Sequence, residues 1–236
     1  MVYSMKFLLI PVKRLNRAKS RLSSLLTPDE REALAAAMLT DVLRAASGSK
    51  SADRAVVVTN DDRAASLAEV FGLEVMMEHE QHGESASVDA ASERLIEMGA
   101  SEVLRIPGDV PLVTADDLDL LLSKNKSAAP FIAAVPSRDG LGTNALLRNP
   151  PNVIGSQFGP ESFEKHRQAA WNKKVPFEIY ELPRIAHDID GPDDLIALID
   201  HFRANSGADS ESWRAILRLG IADTLSVATG HKHTAA

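Results

Sequence analysis

The feature of this sequence that most constrains its fold is a regular alternation of short apolar runs with longer amphipathic segments, which continues to about residue 125. The runs at residues 6–12 and 54–59 are almost continuously apolar, a pattern typical of parallel strands buried on both faces. Strands that alternate with helices form βαβ units. The sequence therefore predicts a single α/β domain with a mostly parallel central sheet and helices on both faces.

Several stretches are expected to form strands: residues 6–12, 54–59, 73–77, 103–106, 131–135, 145–147, 177–182 and 185–189. Helices are expected from about residue 28 and at 61–71, 88–98, 114–122, 161–170, 191–202 and 213–219. The first helix has a strong start signal, because Thr27, Pro28 and Glu30 match an N-cap, a first-position proline and a capping box.

Composition narrows the class of protein. The chain of 236 residues has a formal net charge of −7, which argues against nucleic acid or an anionic membrane as a partner, because those partners need a basic surface. The chain contains no cysteine, which excludes disulfides, thiolate metal sites and cysteine nucleophiles. The apolar stretch 7–12 is too short for a signal peptide or a membrane span. We expect a soluble cytoplasmic protein.

A carboxylate is expected at the edge of the sheet where ligands bind. The apolar strand at 103–106 is ended by Pro107 and Gly108, which places Asp109 at the strand's carboxyl end. Open α/β sheets bind their ligands at that edge, and a carboxylate there suits Mg2+ that carries substrate phosphates. The alternative interpretation is an ordinary turn or helix-capping aspartate.

A cluster of cations follows the first strand. Residues 13–22 carry five positive charges in ten residues and have the position of a phosphate-binding loop, between a strand and a helix. Neither G-x-x-x-x-G-K-[ST] nor G-x-G-x-x-G occurs, so a P-loop ATPase and a standard dinucleotide fold are unsupported. If the loop holds a triphosphate, Lys13, Lys19 and Arg21 must bind it through side-chain charge. The alternative is a solvated surface segment.

A second acidic cluster lies at residues 187–195. Asp188 and Asp190 alternate about Ile189, so on a strand both carboxylates would share one face, and one of them could face Asp109 across a metal ion. The alternative is that Asp190 caps the following helix. Four other aspartates are interpreted as first-turn residues that favour the helix dipole: Asp116, Asp117, Asp193 and Asp194.

Two loops rich in small residues, 140–144 and 158–162, offer backbone and hydroxyl donors. Ser162 lies near a helix start and could bind an anion through its hydroxyl and the helix N-terminus, although both loops could equally be plain turns. The histidines are scattered and form no metal-ligand set. G-x-S-x-G is absent, so no Ser-His-Asp arrangement can be assigned.

Five motifs, taken in order, resemble the guanylyltransferases of coenzyme F420 biosynthesis, the CofC/FbiD family within the MobA-like nucleotidyltransferases. They are P-V-K-R-L-N-R-A-K-S-R-L at 11–22, P-G-D-V-P at 107–111, G-T-N-A-L-L-R-N-P-P at 142–151, F-G-P-E-S-F-E-K-H at 158–166 and D-I-D-G-P-D-D-L at 188–195. The resemblance spans roughly residues 5–200. The aspartate at the sheet edge is general to nucleotidyltransferases, whereas G-T-N-A-L and F-G-P-x-S narrow the match to this family.

The resemblance implies a reaction and a set of site residues. GMP would pass from GTP to the phosphate of a three-carbon phospho-acid, with release of pyrophosphate. The cofactor would be Mg2+, held by Asp109 together with Asp188 or Asp190. Asp109 and Lys19 would be the catalytic residues. Nucleotide-binding residues would be Lys13, Lys19, Arg21, Ser85 and Pro107, and acceptor-binding residues would be Thr143, Gly159 and Ser162.

Some alternatives stay open at this level. The acceptor could be phosphoenolpyruvate, 2-phospho-L-lactate or 3-phospho-D-glycerate. The loop 83–91 departs from a G-L-N-x-A-type sequence common near the base in the family, and Gly191 replaces a common Thr. Rivals are a molybdopterin or sugar-phosphate transferase and a non-catalytic nucleotide-binding domain. The missing L-x-G-G-type loop after the first strand weighs against the former, and the retained acidic and basic residues weigh against the latter.

The expected domain is residues 1–204, the nucleotidyltransferase domain, followed by a linker, a short helix and a flexible tail over residues 205–236. The expected partners are the small-molecule substrates. A second copy in a homodimer and the F420 biosynthesis transferase that takes up the unstable product are further candidates.

Overall fold

The computed structural model describes residues 5–80, 82–123, 130–205 and 209–223. The described chain forms one seven-stranded sheet. Its strands are β1 (Met5–Val12), β2 (Arg54–Thr59), β3 (Glu74–Met77), β4 (Ala100–Arg105), β5 (Phe131–Pro136), β6 (Thr143–Asn149) and β7 (Phe177–Ile179). The strand order across the sheet is β3-β2-β1-β4-β6-β5-β7.

The sheet is mostly parallel, with one reversed strand. The pairs β1/β2, β2/β3, β1/β4 and β5/β7 are parallel, whereas β6 is antiparallel to both β4 and β5. The reversal has a local cause, because β5 and β6 form a hairpin whose turn is closed by Ser137 N donating to the carbonyl of Gly142 at 3.0 Å. The predicted α/β architecture is confirmed.

Helices cover both faces of the sheet. They are α1 (Pro28–Gly48), α2 (Asp62–Val70), α3 (Glu84–Glu97), α4 (Ala115–Ser123), α5 (Ser162–Lys173), α6 (Pro183–Ala186), α7 (Pro192–Asn205) and α8 (Glu211–Arg218). Neighbouring residues of β1 point to opposite faces. Phe7 belongs to a buried cluster with Leu95 of α3, whereas Leu8 belongs to another with Leu39 of α1. Burial of β1 on both faces explains its continuously apolar sequence.

The start of α1 is confirmed in detail. Thr27 Oγ1 accepts a hydrogen bond from Glu30 N at 3.3 Å, and the Glu30 carboxylate accepts one from Thr27 N at 2.7 Å. Pro28 occupies the first turn, where its missing N–H leaves no helical bond unmade. This capping box fixes where the basic segment after β1 ends.

Helix α3 and strand β6 begin earlier than their sequence patterns predict. Helix α3 starts at Glu84 rather than residue 88, because Gly83 adopts a φ of 95° as its N-cap and lets the polar segment join the helix. Strand β6 starts at Thr143 rather than residue 145, since the hairpin turn ends directly before it. Both early starts bring polar side chains into regular elements near the carboxyl edge of the sheet.

The predicted strand at 185–189 is wrong. Residues 183–186 instead form the short helix α6, which begins at Pro183 and buries Ile185 completely. Proline sets a φ of about −65°, which is ready for a first helical turn, and it cannot donate to a sheet ladder. The residues between α6 and α7 are not part of the sheet.

The last described helix packs on the first. Ile216 of α8 belongs to a buried cluster with Met38 of α1 and Phe202 of α7. The tail predicted at the end of the segment 205–236 lies outside the described residues, which stop at residue 223. Among the helices of the described ranges, none has the length and apolar character needed to cross a membrane.

Candidate active site

Asp109 lies at the carboxyl edge of the sheet, just beyond β4. Ile106 N still donates to the carbonyl of Leu9 in β1 at 3.0 Å, so the parallel pairing continues to the residue before Pro107. The chain then turns, and the carbonyl of Asp109 accepts from Ile189 N at 3.1 Å. This backbone bond brings the second acidic segment beside the first.

Lys19 joins the two acidic segments. Its Nζ lies 2.5 Å from Oδ2 of Asp109 and 3.2 Å from Oδ1 of Asp190, and its side chain is only 6% exposed. Burial by itself would lower the pKa of Lys19, but the two carboxylates outweigh it and raise that pKa. Burial would likewise raise the pKa of Asp109, yet the charge and hydrogen bond of Lys19 hold it below its usual value. Lys19 and Asp109 are therefore both charged at neutral pH.

The backbone of Lys19 has an unusual conformation. Its φ of 55° lies in the left-handed region, which costs a non-glycine residue on the order of 1–2 kcal/mol. Lys19 lies between two short 3-10 turns, Leu15–Arg17 and Ser20–Leu22, whose residues Leu15 and Leu22 are buried. The anchored turns hold the lysine in this conformation, and strain of this kind is often found at functional positions.

Asp188 is held from the side of β6. The amide of Asn144 donates to Oδ1 of Asp188 at 2.9 Å and to the carbonyl of Ile185 at 3.0 Å. Burial raises the pKa of Asp188, and the negative charges of Asp109 and Asp190 raise it further. Three carboxylates, which we call the acidic cluster, thus lie close enough to repel one another: Asp109, Asp188 and Asp190.

The expectation that Asp188 and Asp190 share one face of a strand is wrong, because residues 187–190 form no strand. Ile189 between them is completely buried. The carboxylate of Asp194 accepts from the backbone N–H groups of Asp190 and Gly191 at 3.2 and 2.9 Å, which turns the chain into α7. The first-turn role predicted for Asp194 is consistent with these bonds.

The donor chemistry of the acidic cluster fits a hard divalent cation. Two carboxylates, those of Asp109 and Asp190, contact one buried ammonium, and the third, that of Asp188, lies near enough to feel their charge. Carboxylate oxygens are ligands that Mg2+ prefers. Across residues 5–80, 82–123, 130–205 and 209–223, no three Asp, Glu or His side chains already form a metal-binding group. Mg2+ often takes only one or two protein carboxylates and completes its shell with water and substrate phosphate. The cluster therefore suits a metal that arrives with a nucleotide.

Of the other two predicted cations, Arg21 pairs with the acidic cluster and Lys13 pairs with Glu84 of α3. The side chain of Arg21 is 76% exposed, with its guanidinium 3.5 Å from Asp190. The side chain of Lys13 is 65% exposed, with Nζ 3.9 Å from Glu84. Of the three predicted triphosphate contacts, only Lys19 is buried, and Lys13 and Arg21 are open to solvent.

Ser85 connects the start of α3 to the loop 158–162, two segments that lie far apart in the sequence. It lies in the first turn of α3, and its hydroxyl accepts a hydrogen bond from Phe158 N at 2.8 Å. Phe158 begins the loop that contains Gly159 and leads into α5. The segment predicted to contact the nucleotide is therefore bonded directly to the segment predicted to contact the acceptor.

Thr143 and Ser162 form a second polar group, which we call the hydroxyl pair. Their Oγ atoms are 3.2 Å apart, and the residues are 5% and 2% exposed. Nδ1 of His166 lies 3.0 Å from Thr143 Oγ1, and His166 is completely buried. The turn into α5 needs a glycine at position 159, where φ is 118°, and the carbonyl of Gly159 accepts from Ser162 N at 3.1 Å.

Arg105 is a site residue that the sequence analysis missed. Its Nη1 donates to the carbonyls of Thr143 and Asn144 at 3.2 and 3.4 Å, and Nη2 forms an ion pair with Glu84. The guanidinium also lies 4.1 Å from the centre of the Phe158 ring. Arg105 thus fixes the start of β6 against α3 and the loop before α5. A charged residue inside an apolar strand, V-L-R-I, is the signal that could have revealed it.

The relationship to known proteins extends over almost the whole chain. Residues 5–226 match the family described as "Guanylyl transferase CofC like". The chain belongs to the CofC-like guanylyltransferase family. This membership confirms the resemblance drawn from the five motifs and makes the protein a nucleotidyltransferase.

Named relatives agree with the family. The CofC-like chain is 36% identical over 201 residues to a phosphoenolpyruvate guanylyltransferase of Conexibacter woesei. The aligned region covers 85% of this chain and 90% of the relative. It is 33% identical over 196 residues to a 2-phospho-L-lactate guanylyltransferase of Methanothermobacter thermautotrophicus, covering 82% of this chain and 83% of the relative. The two relatives differ in the acceptor that their names give.

Solved structures support the fold of the CofC-like chain. One, described as a nucleotide-diphospho-sugar transferase of Desulfovibrio desulfuricans, has a TM-score of 0.74 at 14% identity and covers 94% of this chain and 98% of its own. A nucleotidyl transferase of Methanothermobacter thermautotrophicus has a TM-score of 0.59 at 16% identity and covers 86% and 100%. At such low identity these similarities establish the nucleotidyltransferase fold alone.

Proposed function

We propose that this CofC-like protein transfers GMP from GTP to the phosphate of a three-carbon phospho-acid, with release of pyrophosphate, as a step of coenzyme F420 biosynthesis. One observation carries the proposal: neighbouring residues at the start of β6 contact two different polar groups. Asn144 binds Asp188 of the acidic cluster, and Thr143 binds Ser162 of the hydroxyl pair. Both polar groups therefore lie at the same end of β6, as a reaction between two substrates requires.

The acidic cluster is the proposed site for nucleotide and metal. Asp109, Asp188 and Asp190 would hold Mg2+, which neutralises part of the triphosphate charge when it is bound. Lys19 contacts Asp109 and Asp190 and would keep them aligned while it faces the phosphates. The remaining proposed nucleotide contacts are Lys13, Arg21, Ser85 and Pro107.

The reaction needs no protein nucleophile. An oxygen of the acceptor phosphate attacks the α-phosphorus of GTP, and a new phosphorus–oxygen bond forms as the bond from the α-phosphorus to the bridging oxygen of the β-phosphate breaks. The electron pair leaves with pyrophosphate. The protein aligns the two anions and reduces their repulsion, and such positioning and electrostatic stabilisation supply most of the rate enhancement in reactions of this kind.

The hydroxyl pair is the proposed site for the acceptor. Thr143 and Ser162 would donate to an anionic oxygen of the phospho-acid, and Gly159 would let the backbone approach it closely. Both hydroxyls are nearly buried, so an anion that reached them would lose much of its water and gain stronger hydrogen bonds. The names of the two relatives favour phosphoenolpyruvate or 2-phospho-L-lactate as the acceptor over a sugar phosphate.

A nucleotide and acceptor screen tests the proposal. The protein is incubated with Mg2+ and GTP, ATP, CTP or UTP against phosphoenolpyruvate, 2-phospho-L-lactate and 3-phospho-D-glycerate, and products are identified by mass spectrometry. We expect a guanylylated phospho-acid with GTP and at least one acceptor. Turnover of a sugar phosphate or molybdopterin alone, or no turnover with any pair, would contradict the proposal.

Three further expectations concern the location of the enzyme, its assembly and the recipient of its product. We place the reaction in the cytoplasm, with a homodimer as the proposed assembly and the downstream F420 transferase as the proposed recipient of the product. Size-exclusion chromatography with light scattering measures the assembly directly, and a purely monomeric mass would exclude the dimer.

A further inference from the structure

His166 has a hydrogen-bond environment that permits only one neutral form. Its Nε2 lies 2.9 Å from the backbone nitrogen of Gln157, whose N–H can only donate. Nε2 must therefore be the unprotonated acceptor. Burial, together with the charges of Arg148 and Arg105, lowers the pKa of His166 from 6.5 to about 4, so the ring is neutral at neutral pH. The single ring hydrogen then lies on Nδ1.

The position of that hydrogen decides the polarity of the hydroxyl pair. With hydrogen on Nδ1, the ring donates to Thr143 Oγ1 across 3.0 Å. The contact of 3.2 Å between the Oγ atoms of Thr143 and Ser162 uses one of the two hydroxyl hydrogens. The other hydroxyl hydrogen remains available for a ligand.

The opposite form of the ring would reverse this result. If hydrogen lay on Nε2, Thr143 would have to donate to Nδ1, and Ser162 would donate to Thr143. Both hydroxyl hydrogens would then be consumed inside the protein, and the pair could only accept. The oxygens of an ionised phosphate or carboxylate only accept hydrogen bonds, and they would then face oxygen lone pairs instead of a hydrogen-bond donor.

We propose that His166 is a positioning residue that makes the hydroxyl pair a net hydrogen-bond donor toward an anionic oxygen of the acceptor. The role rests on the proposed function of the acceptor site. It reaches the substrate through Thr143, since His166 is completely buried. The backbone N–H of Gln157, the ring of His166 and the two hydroxyls thus form one polarised chain that ends at the acceptor.

The first test is direct and needs no substrate. Nitrogen-15 NMR of the wild-type protein, with histidine labelled in the ring, distinguishes a protonated from an unprotonated ring nitrogen. We expect His166 to be neutral, with Nδ1 protonated and Nε2 unprotonated, at pH 7. A signal that assigns the hydrogen to Nε2, or a charged ring, would overturn the proposal whatever the enzyme's substrate.

The second test separates positioning from packing. In His166→Gln the side-chain amide reaches toward the Nε2 position and the Nδ1 donor is lost, whereas in His166→Asn the amide lies near the Nδ1 position. We expect His166→Gln to raise the KM for the phospho-acid about tenfold, as for a lost hydrogen bond to a charged group, with the KM for GTP changed by less than about twofold. His166→Asn should recover most of the acceptor KM.

A double-mutant cycle with Thr143→Val completes the design. If His166 acts through the Thr143 hydroxyl, His166→Gln adds no further loss in the Thr143→Val background. If the losses of the two single variants multiply in the double variant, or if the KM for GTP rises as much as the KM for the acceptor, His166 acts only through packing. If the wild type uses no phospho-acid at all, the proposed function fails and the acceptor role fails with it, whereas the wrong ring tautomer rejects only the role of His166.

Discussion

The ammonium of Lys19 lies 2.5 Å from the carboxylate of Asp109, so a residue between two short turns near the start of the chain is paired with the residue that follows the central strand β4. Each partner keeps the other ionised in a largely buried position. Because a buried charge without its partner is costly, the pair is expected to behave as a unit in both stability and catalysis.

The first prediction concerns the metal. Asp109→Asn removes one negative charge without a change of shape, so we expect turnover to fall by at least about a hundredfold while the far-UV circular dichroism stays that of the wild type. Steady-state rates in excess Mg2+ measure this. Asp116→Asn, at the first turn of α4, is the matched control and should remain active. A rate for Asp109→Asn near that of the wild type would remove Asp109 from the mechanism.

The second prediction concerns the triphosphate. Lys19→Ala should lower kcat/KM for GTP by about a hundredfold, because it removes the one buried ammonium from the acidic cluster. Arg17→Ala, an exposed cation of the same segment, should change it by less than about threefold. Equal effects of the two substitutions would show that the segment is an ordinary solvated surface without a role in binding the triphosphate.

The third prediction concerns the acceptor. Ser162→Ala removes one of the two hydroxyls and should lower kcat/KM for the phospho-acid by about tenfold or more, as expected from the ~1.5–3 kcal/mol of a hydrogen bond to a charged group. The KM for GTP should change little. Kinetics with each substrate varied in turn measure the difference. Acceptor parameters that do not change for any phospho-acid would show that the family's acceptor site does not transfer to this chain.

The fourth prediction concerns stability and pH. The pKa of His166 is lowered from 6.5 to about 4 in the folded protein, so between these values the unfolded chain binds the proton more readily. The stabilisation is complete above pH 6.5, is lost as the pH falls toward 4, and amounts to about 3 kcal/mol. Urea unfolding at several pH values should show a smaller loss for His166→Gln than for the wild type. Identical pH dependences would contradict the buried, neutral ring.

The strands and the sheet-edge aspartate were predictable because local pattern determines them. Continuous apolar runs such as β2 occur where both faces are covered. Pro107 and Gly108 end the strand, which leaves Asp109 just beyond β4. The strand expected at 185–189 was wrong because apolar character alone does not separate a short buried helix from a strand. In that segment Pro183 starts a helical turn instead.

The contacts that hold the site together were not predictable from local pattern. Asn144 binds Asp188, and Arg105 binds Glu84, between residues far apart in sequence. His166 was visible in the family motif, but its role depends on the backbone N–H of Gln157 and the hydroxyl of Thr143, which only the folded loops bring together. Tertiary hydrogen bonds of this kind leave no periodic signal.

In the proposed reaction, an oxygen of the acceptor phosphate attacks the α-phosphorus of GTP. The most direct measurement uses a phospho-acid with oxygen-18 in its phosphate, incubated with GTP, Mg2+ and the wild-type protein, followed by mass spectrometry of both products. We expect all of the label in the guanylylated acid, including the new bridging oxygen, and none in pyrophosphate. Label in pyrophosphate, or pyrophosphate formed without a guanylylated acid, would contradict the proposed reaction.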